Sequence, residues 1–143
     1  RLALCVAASI AYPGDCLVID IGTCITYDLL LDNIYYGGQI TPGLTLRLLA
    51  LHEHTANLPK IEFKVPKDFI GKTTSDSIAI GAYRGILAEI NGIIEEYKLR
   101  YPGISVILTG GSMEVFINKI QNINFINHNL LMQGLNYIIA SNE

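Results

Sequence analysis

Apolar and polar positions follow three rhythms along the chain. Positions 16–21 (CLVIDI) are almost continuously apolar, the mark of a strand covered on both faces. At 25–31 the rhythm becomes alternation, with Ile25, Tyr27, Leu29 and Leu31 set against Thr26 and Asp28, which predicts a second strand. Asp32-Asn33 supplies a tight turn tolerant of positive φ. A third strand is expected over 34–40, where Gly37-Gly38 weakens the strand unless another backbone or a ligand comes close.

Helical spacing governs most of what remains. Residues 1–12 read as a helix with Leu2, Cys5, Val6, Ser9 and Ile10 on one face, ended by Pro13-Gly14. Pro42-Gly43 opens a helix to about residue 54, with Leu44, Leu48 and Leu51 on one face, and 55–73 is irregular. A long helix is predicted over 75–100, about 39 Å in length, carrying Ala79, Ala82, Tyr83, Ile86, Ile90, Ile93, Ile94 and Tyr97 at helical spacing. Its glycines Gly81, Gly85 and Gly92 each cost up to about 1 kcal/mol against Ala, so a closely approaching partner element is expected there. A buried strand at 104–109, a helix at 112–119, a short strand at 123–126 and a helix at 130–140 complete the chain. The order predicts an α/β domain, a three-stranded antiparallel meander feeding βα units, rather than a pure Rossmann alternation.

Composition narrows the classes. Half of the 143 residues are apolar, which excludes disorder, and the net charge of −3 comes without a basic run longer than two residues, which argues against nucleic acid as a partner. The longest apolar stretch, 2–12, falls short of the roughly 18 residues that span a bilayer. Cys5, Cys16 and Cys24 are irregularly spaced and odd in number, which fits reduced cytoplasmic thiols better than a disulfide frame or zinc site. Arg1 and the apolar run after it imitate a secretory leader, but the run passes directly into a strand-like segment, so a buried helix is the better reading. The chain does not open on Met, and natural sequence is expected before Arg1.

Two glycine turns carry candidate chemistry. Gly71-Lys72-Thr73 looks like the end of a phosphate loop, but Pro66 stands where its first glycine belongs, and no G-x-G-x-x-G occurs. Asp20-Ile21-Gly22-Thr23 ends the first strand: Gly22 leaves amides open toward an anion and Thr23 adds a hydroxyl. A carboxylate beside phosphate repels it unless a cation mediates, so Asp20 implies a metal ion with oxygen ligands; the alternative is a plain Asp turn. Thr109-Gly110-Gly111 likewise follows a buried strand and precedes a helix, where anions gather. His52 and His54, two apart, suit a solvated helix end, and His128 a turn cap.

In order along the chain stand Arg1 with its small-residue helix, IDIGTCIT (19–26), GGQITPG (37–43), TANLP (55–59), IGKTT (70–74), LTGG (108–111) and LLMQGL (130–135). This series resembles the type III pantothenate kinase family, of the actin, sugar kinase and Hsp70 ATPase superfamily. The resemblance implies a ribonuclease H-like, actin-like ATPase fold. It also implies transfer of the γ-phosphate of ATP to pantothenate, the first step of coenzyme A synthesis, in the cytoplasm, by a homodimer. It implies that Gly22, Thr23, Gly110 and Gly111 bind ATP, that Asp20 holds a monovalent cation (potassium or ammonium) with magnesium accompanying the nucleotide, and that Arg1 and Thr74 contact pantothenate.

The family's catalytic aspartate immediately precedes the arginine matching Arg1, in G-x-D-R, and its D-x-G-N-T phosphate loop lies further upstream. Residues 1–143 are therefore expected to be the C-terminal half of a two-domain kinase, with no catalytic base of their own and inactive alone. Cys24 replaces the family's usual Ala and Thr73 its usual Asn. The competing expectation is a non-catalytic, nucleotide-responsive regulator or scaffold on the same fold; a kinase with a sugar or acyl acceptor is opposed by the order of the motifs.

Overall fold

The computed structural model describes residues 1–141. Strands β1 (Cys16–Ile21), β2 (Cys24–Leu31) and β3 (Ile34–Pro42) pair antiparallel in succession, β4 (Ser105–Thr109) lies parallel to β1 on its free side, and β5 (Phe125–Ile126) lies parallel beyond it. The sheet order is β3-β2-β1-β4-β5, so the most apolar strand takes the centre. Asp32 and Asn33 both adopt positive φ in the β2–β3 turn, where the Asp15 carboxylate accepts from the Asp32 amide at 2.9 Å. A bulge at Tyr36 of β3 faces Leu29 and Leu30 of β2, which pair with Gly37 and Tyr35, and the bare edge of Gly38 makes room for the Tyr27 carbonyl.

Side chains of β1 alternate between two cores. Leu17, Ile19 and Ile21 face the long helix α3 (Thr74–Arg100), whose Ile86, Ile90 and Ile94 form a fully buried stripe joined by Tyr83 and Phe116. Cys16 and Val18 face α1 (Leu2–Ala11), whose Leu4, Cys5, Ala7 and Ala8 are buried with Leu130 of α4 (Leu130–Ala140). Helix α2 (Leu44–Glu53) follows β3 and rests beside α3 with none of its residues fully buried. Thr73 caps α3, its hydroxyl accepting from the Asp76 amide at 3.1 Å, and thereby satisfies one of the first-turn donors. Among the described residues no helix is long and apolar enough to cross a membrane.

Several expectations are corrected. In α1 the buried face is Leu4, Cys5, Ala7 and Ala8, while Leu2 and Ile10 are 59% and 51% exposed. The helix is apolar all round, so packing decides its face: the alanines bring it close to sheet and neighbour. Close approach by glycine occurs not in α3 but in α4, where a Cβ on Gly134 would overlap the Ala3 backbone; Gly81 and Gly92 face open space and Gly85 meets only Arg47, at 3.9 Å. The helix expected over 112–119 is two 3-10 turns, Met113–Val115 and Ile117–Lys119. The Ser112 amide donates to the Ile21 carbonyl at 2.9 Å, and the amides of Val115 and Phe116 reach back only three residues, to Ser112 and Met113. The strand expected at 123–126 shortens to Phe125–Ile126, because the Asn124 side chain itself accepts from the Val106 amide at 2.9 Å and replaces a ladder bond.

Candidate functional site

Because β1 and β4 are parallel and register Asp20 against Thr109, both strands deliver their glycine turns to the same edge of the sheet. The turn after β1 is pinned by the Gly22 amide donating to the Cys24 carbonyl at 2.9 Å, and by the Gly43 amide donating to the Thr23 carbonyl at 2.9 Å. A Cβ on Gly43 would stand 2.7 Å from the Thr23 carbonyl oxygen, so the end of β3 fits against this turn only as glycine. The turn after β4 is shaped by Gly110, at φ +108°, whose bare edge lies against the Ile21 backbone and the Asp20 carboxylate; a Cβ there would be 2.5 Å from Oδ1. The structure thus brings Asp20, Gly22, Thr23, Gly110 and Gly111 together, with Thr23 and Gly111 exposed on the open side.

Asp20 alternates with Ile19 and Ile21, so its side chain leaves the sheet on the α1 face, half-buried, and burial pushes its carboxyl above the usual range. On the same face β2 presents Thr26, opposite Asp20, and then Asp28, opposite Val18. Asp28 is 0% exposed. Its carboxylate accepts from Arg1 Nε at 3.0 and 3.2 Å, from Arg1 Nη2 at 2.7 Å and from the Tyr35 hydroxyl at 2.8 Å. Arg1, expected at the substrate, is therefore held by Asp28, though its side chain remains 33% exposed on the Asp20 side of the sheet. Thr74 is not part of this group: it opens α3 beside a pocket of about 390 Å³ edged by Lys64, Lys67, Lys72 and Asp76.

Among the described residues no three His, Cys, Asp or Glu side chains form a metal-holding group, and the Thr26 hydroxyl is buried without a hydrogen-bond partner next to the Asp20 position. One carboxylate with a neutral hydroxyl opposite it suits a singly charged cation better than a divalent one. His52 Nδ1 lies 2.9 Å from the Leu58 carbonyl and His128 is exposed 3.6 Å from Glu114, as solvated positions do.

Sequence reasoning missed two polar clusters. Asp28 takes a polar place in the alternation of β2 but is buried, and a buried carboxylate demands a partner, which Arg1 supplies. Glu89, near the buried stripe of α3, accepts from Tyr27 at 2.9 Å, from Thr41 at 2.7 Å and from Arg47, tying β2, β3 and α2 to the long helix. Burial raises the Glu89 carboxyl, but these three donors outweigh it and hold it below its ordinary value. The thiols divide sharply: Cys5 and Cys16 are buried, and desolvation lifts them to about 12 and about 11, whereas Cys24 is exposed beside the first glycine turn. Ellman's reagent is accordingly expected to titrate one thiol in the native protein and three after denaturation; rapid labelling of more than one native thiol would contradict this burial.

The family model for type III pantothenate kinase matches residues 1–96. A type III pantothenate kinase from Christiangramia forsetii is 43% identical over 145 residues, covering 100% of this chain and 60% of its own length. The chain thus spans about 60% of the length of such curated relatives. Among solved structures, a candidate Baf family transcriptional activator from Campylobacter jejuni superimposes with a TM-score of 0.63 at 24% identity, over 95% of this chain and 62% of that one. The Alp12 filament structure does so with 0.63 at 14%, over 98% and 51%. These likenesses show an actin-like ATPase fold. With the family model running from Arg1 through the first three strands and most of α3, the chain belongs to the type III pantothenate kinase family.

Proposed function

We propose that the protein acts in transfer of the γ-phosphate of ATP to the hydroxyl of pantothenate. The observation that carries this reading is the meeting of two glycine turns at one sheet edge with a half-buried carboxylate facing the second of them. Gly22 and Thr23 offer amides and a hydroxyl to the phosphates from one side, and Gly110 and Gly111 receive the nucleotide from the other. A monovalent cation at Asp20, with magnesium on the nucleotide, offsets phosphate charge that would otherwise be repelled by the carboxylate. Asp28, held in turn by the Tyr35 hydroxyl, fixes the Arg1 guanidinium so that its exposed side can meet the substrate carboxylate, and on this reading Thr74, at the start of α3 and apart from that group, contacts pantothenate. The kinase name of the relatives disfavours the regulator reading.

Phosphoryl transfer by such parts is positioning and electrostatics, so loss of the charge at Asp20 should weaken the site without unfolding it. In the intact protein, with potassium and magnesium, pantothenate-dependent ADP release is expected, and Asp20→Asn is expected to cut it by roughly 10²-fold, the scale of one lost electrostatic contact. ADP release that ignores pantothenate would overturn the assignment. A cytoplasmic homodimer is part of the same reading; exposed Leu131, Met132, Leu135 and Ile139 on α4 offer apolar surface for self-association. A sedimentation mass of one chain would count against it.

A further inference from the structure

Thr26 Oγ1 is the one buried side-chain oxygen or nitrogen without a hydrogen-bond partner among the described residues. Orphaned buried hydroxyls are uncommon, because each gives up its hydration for nothing. Its place is specific. Thr26 stands directly across from Asp20 in the antiparallel β1–β2 pair, so the two side chains leave the same face with Cβ atoms about 4.5–5.5 Å apart. No hydrogen bond from the described residues reaches the Asp20 carboxyl, whose Oδ1 lies against the bare edge of Gly110. The cation that could have answered Asp20, the Arg1 guanidinium, is engaged by Asp28 one step further along the same face. A half-buried negative charge and a neutral oxygen therefore stand together, neither hydrogen-bonded among the described residues, and the positive charge that acts on Asp20, the amino terminus of Arg1, makes no ion pair with it.

We propose that Thr26 Oγ1 is a neutral oxygen ligand of the monovalent cation held at Asp20. The inference rests on the reading of Asp20 as the cation carboxylate and adds a ligand to it. Water alone would satisfy the hydroxyl but not the charge. A single unit of positive charge balances the single free carboxylate, and the hydroxyl contributes an oxygen to the shell without adding the further negative charge that a divalent ion would draw.

Thermal unfolding of the intact protein in potassium chloride, against N-methylglucamine chloride at equal ionic strength, tests this without any activity measurement. Wild type is expected to gain stability saturably with potassium. Thr26→Val, which keeps the shape and deletes the oxygen, should need about tenfold or more potassium for the same gain, whereas Thr26→Ser should respond like wild type. Without potassium, Thr26→Val should melt at or above the wild-type temperature, since the hydroxyl it removes has no partner in the fold. A Thr26→Val protein that titrates like wild type while Asp20→Asn does not respond overturns the role of Thr26 and leaves Asp20 standing. Destabilisation of Thr26→Val in the potassium-free buffer overturns it too, by showing an internal partner. A potassium response missing from wild type, or retained in Asp20→Asn, overturns the reading of Asp20 itself.

Discussion

In the intact protein, on the proposed kinase reading, Gly110→Ala is expected to lower kcat/KM for ATP on the order of 10²-fold, the scale of an ångström-level displacement of a loop that positions the nucleotide. The methyl group would be 2.5 Å from Asp20 Oδ1 and would overlap the Ile21 backbone, at a φ of +108° that L side chains rarely adopt. Backbone strain of this kind costs roughly 1–3 kcal/mol, and relief by moving the turn swings it away from β1. Both the carboxylate and the first glycine turn are then disturbed by one substitution. The neighbouring Gly111 gives the contrast: a Cβ there meets nothing within 4 Å, so Gly111→Ala should leave the melting temperature unchanged. Equal stability of the two variants, with unaltered ATP kinetics for Gly110→Ala, would show that the close packing of the second turn on Asp20 is not what shapes the site.

Asp28→Ala is expected to destabilise the fold by about 3 kcal/mol, within the range for breaking a buried ion pair. Asp28 is fully buried and takes four hydrogen-bond contacts from two residues, so truncation strands the Tyr35 hydroxyl and frees the Arg1 guanidinium. Arg1 is partly exposed and can turn to solvent, which keeps the cost below the upper end. Urea titration reads the loss as a lower midpoint at unchanged slope. The same variant should raise KM for pantothenate, since Arg1 loses its anchor; a wild-type midpoint would mean that the pair contributes nothing to folding.

What the sequence shows and what it hides divide along physical lines. The strand at 16–21 and the stripe Ile86, Ile90, Ile94 are legible because periodic burial writes itself into periodic hydrophobicity. The positive-φ turn at Asp32-Asn33 is legible for its own reason, a local conformational preference. The two glycine turns could be found singly, but only the parallel register of Asp20 and Thr109 places them together, and register is a long-range property. The face of α1 escapes because a uniformly apolar helix carries no stripe to read. The 3-10 turns around Phe116 follow a Ser112 amide bond to the Ile21 carbonyl that no local spacing records. Asp28 and Thr26 sit in an ordinary strand alternation, and nothing short of the cross-strand partners separates the saturated group from the orphaned one.

The side-by-side placement of β1 and β4 has a kinetic corollary. The hairpins on one flank of the central strand close over short loops, but its other flank waits for a strand that arrives only after the entire long helix has been laid down. Loop-closure entropy makes that final docking the late event, so the hairpin part can form early while the nucleotide edge has no second wall. If the two turns hold nucleotide as proposed, its binding would report that the β1–β4 pairing has formed.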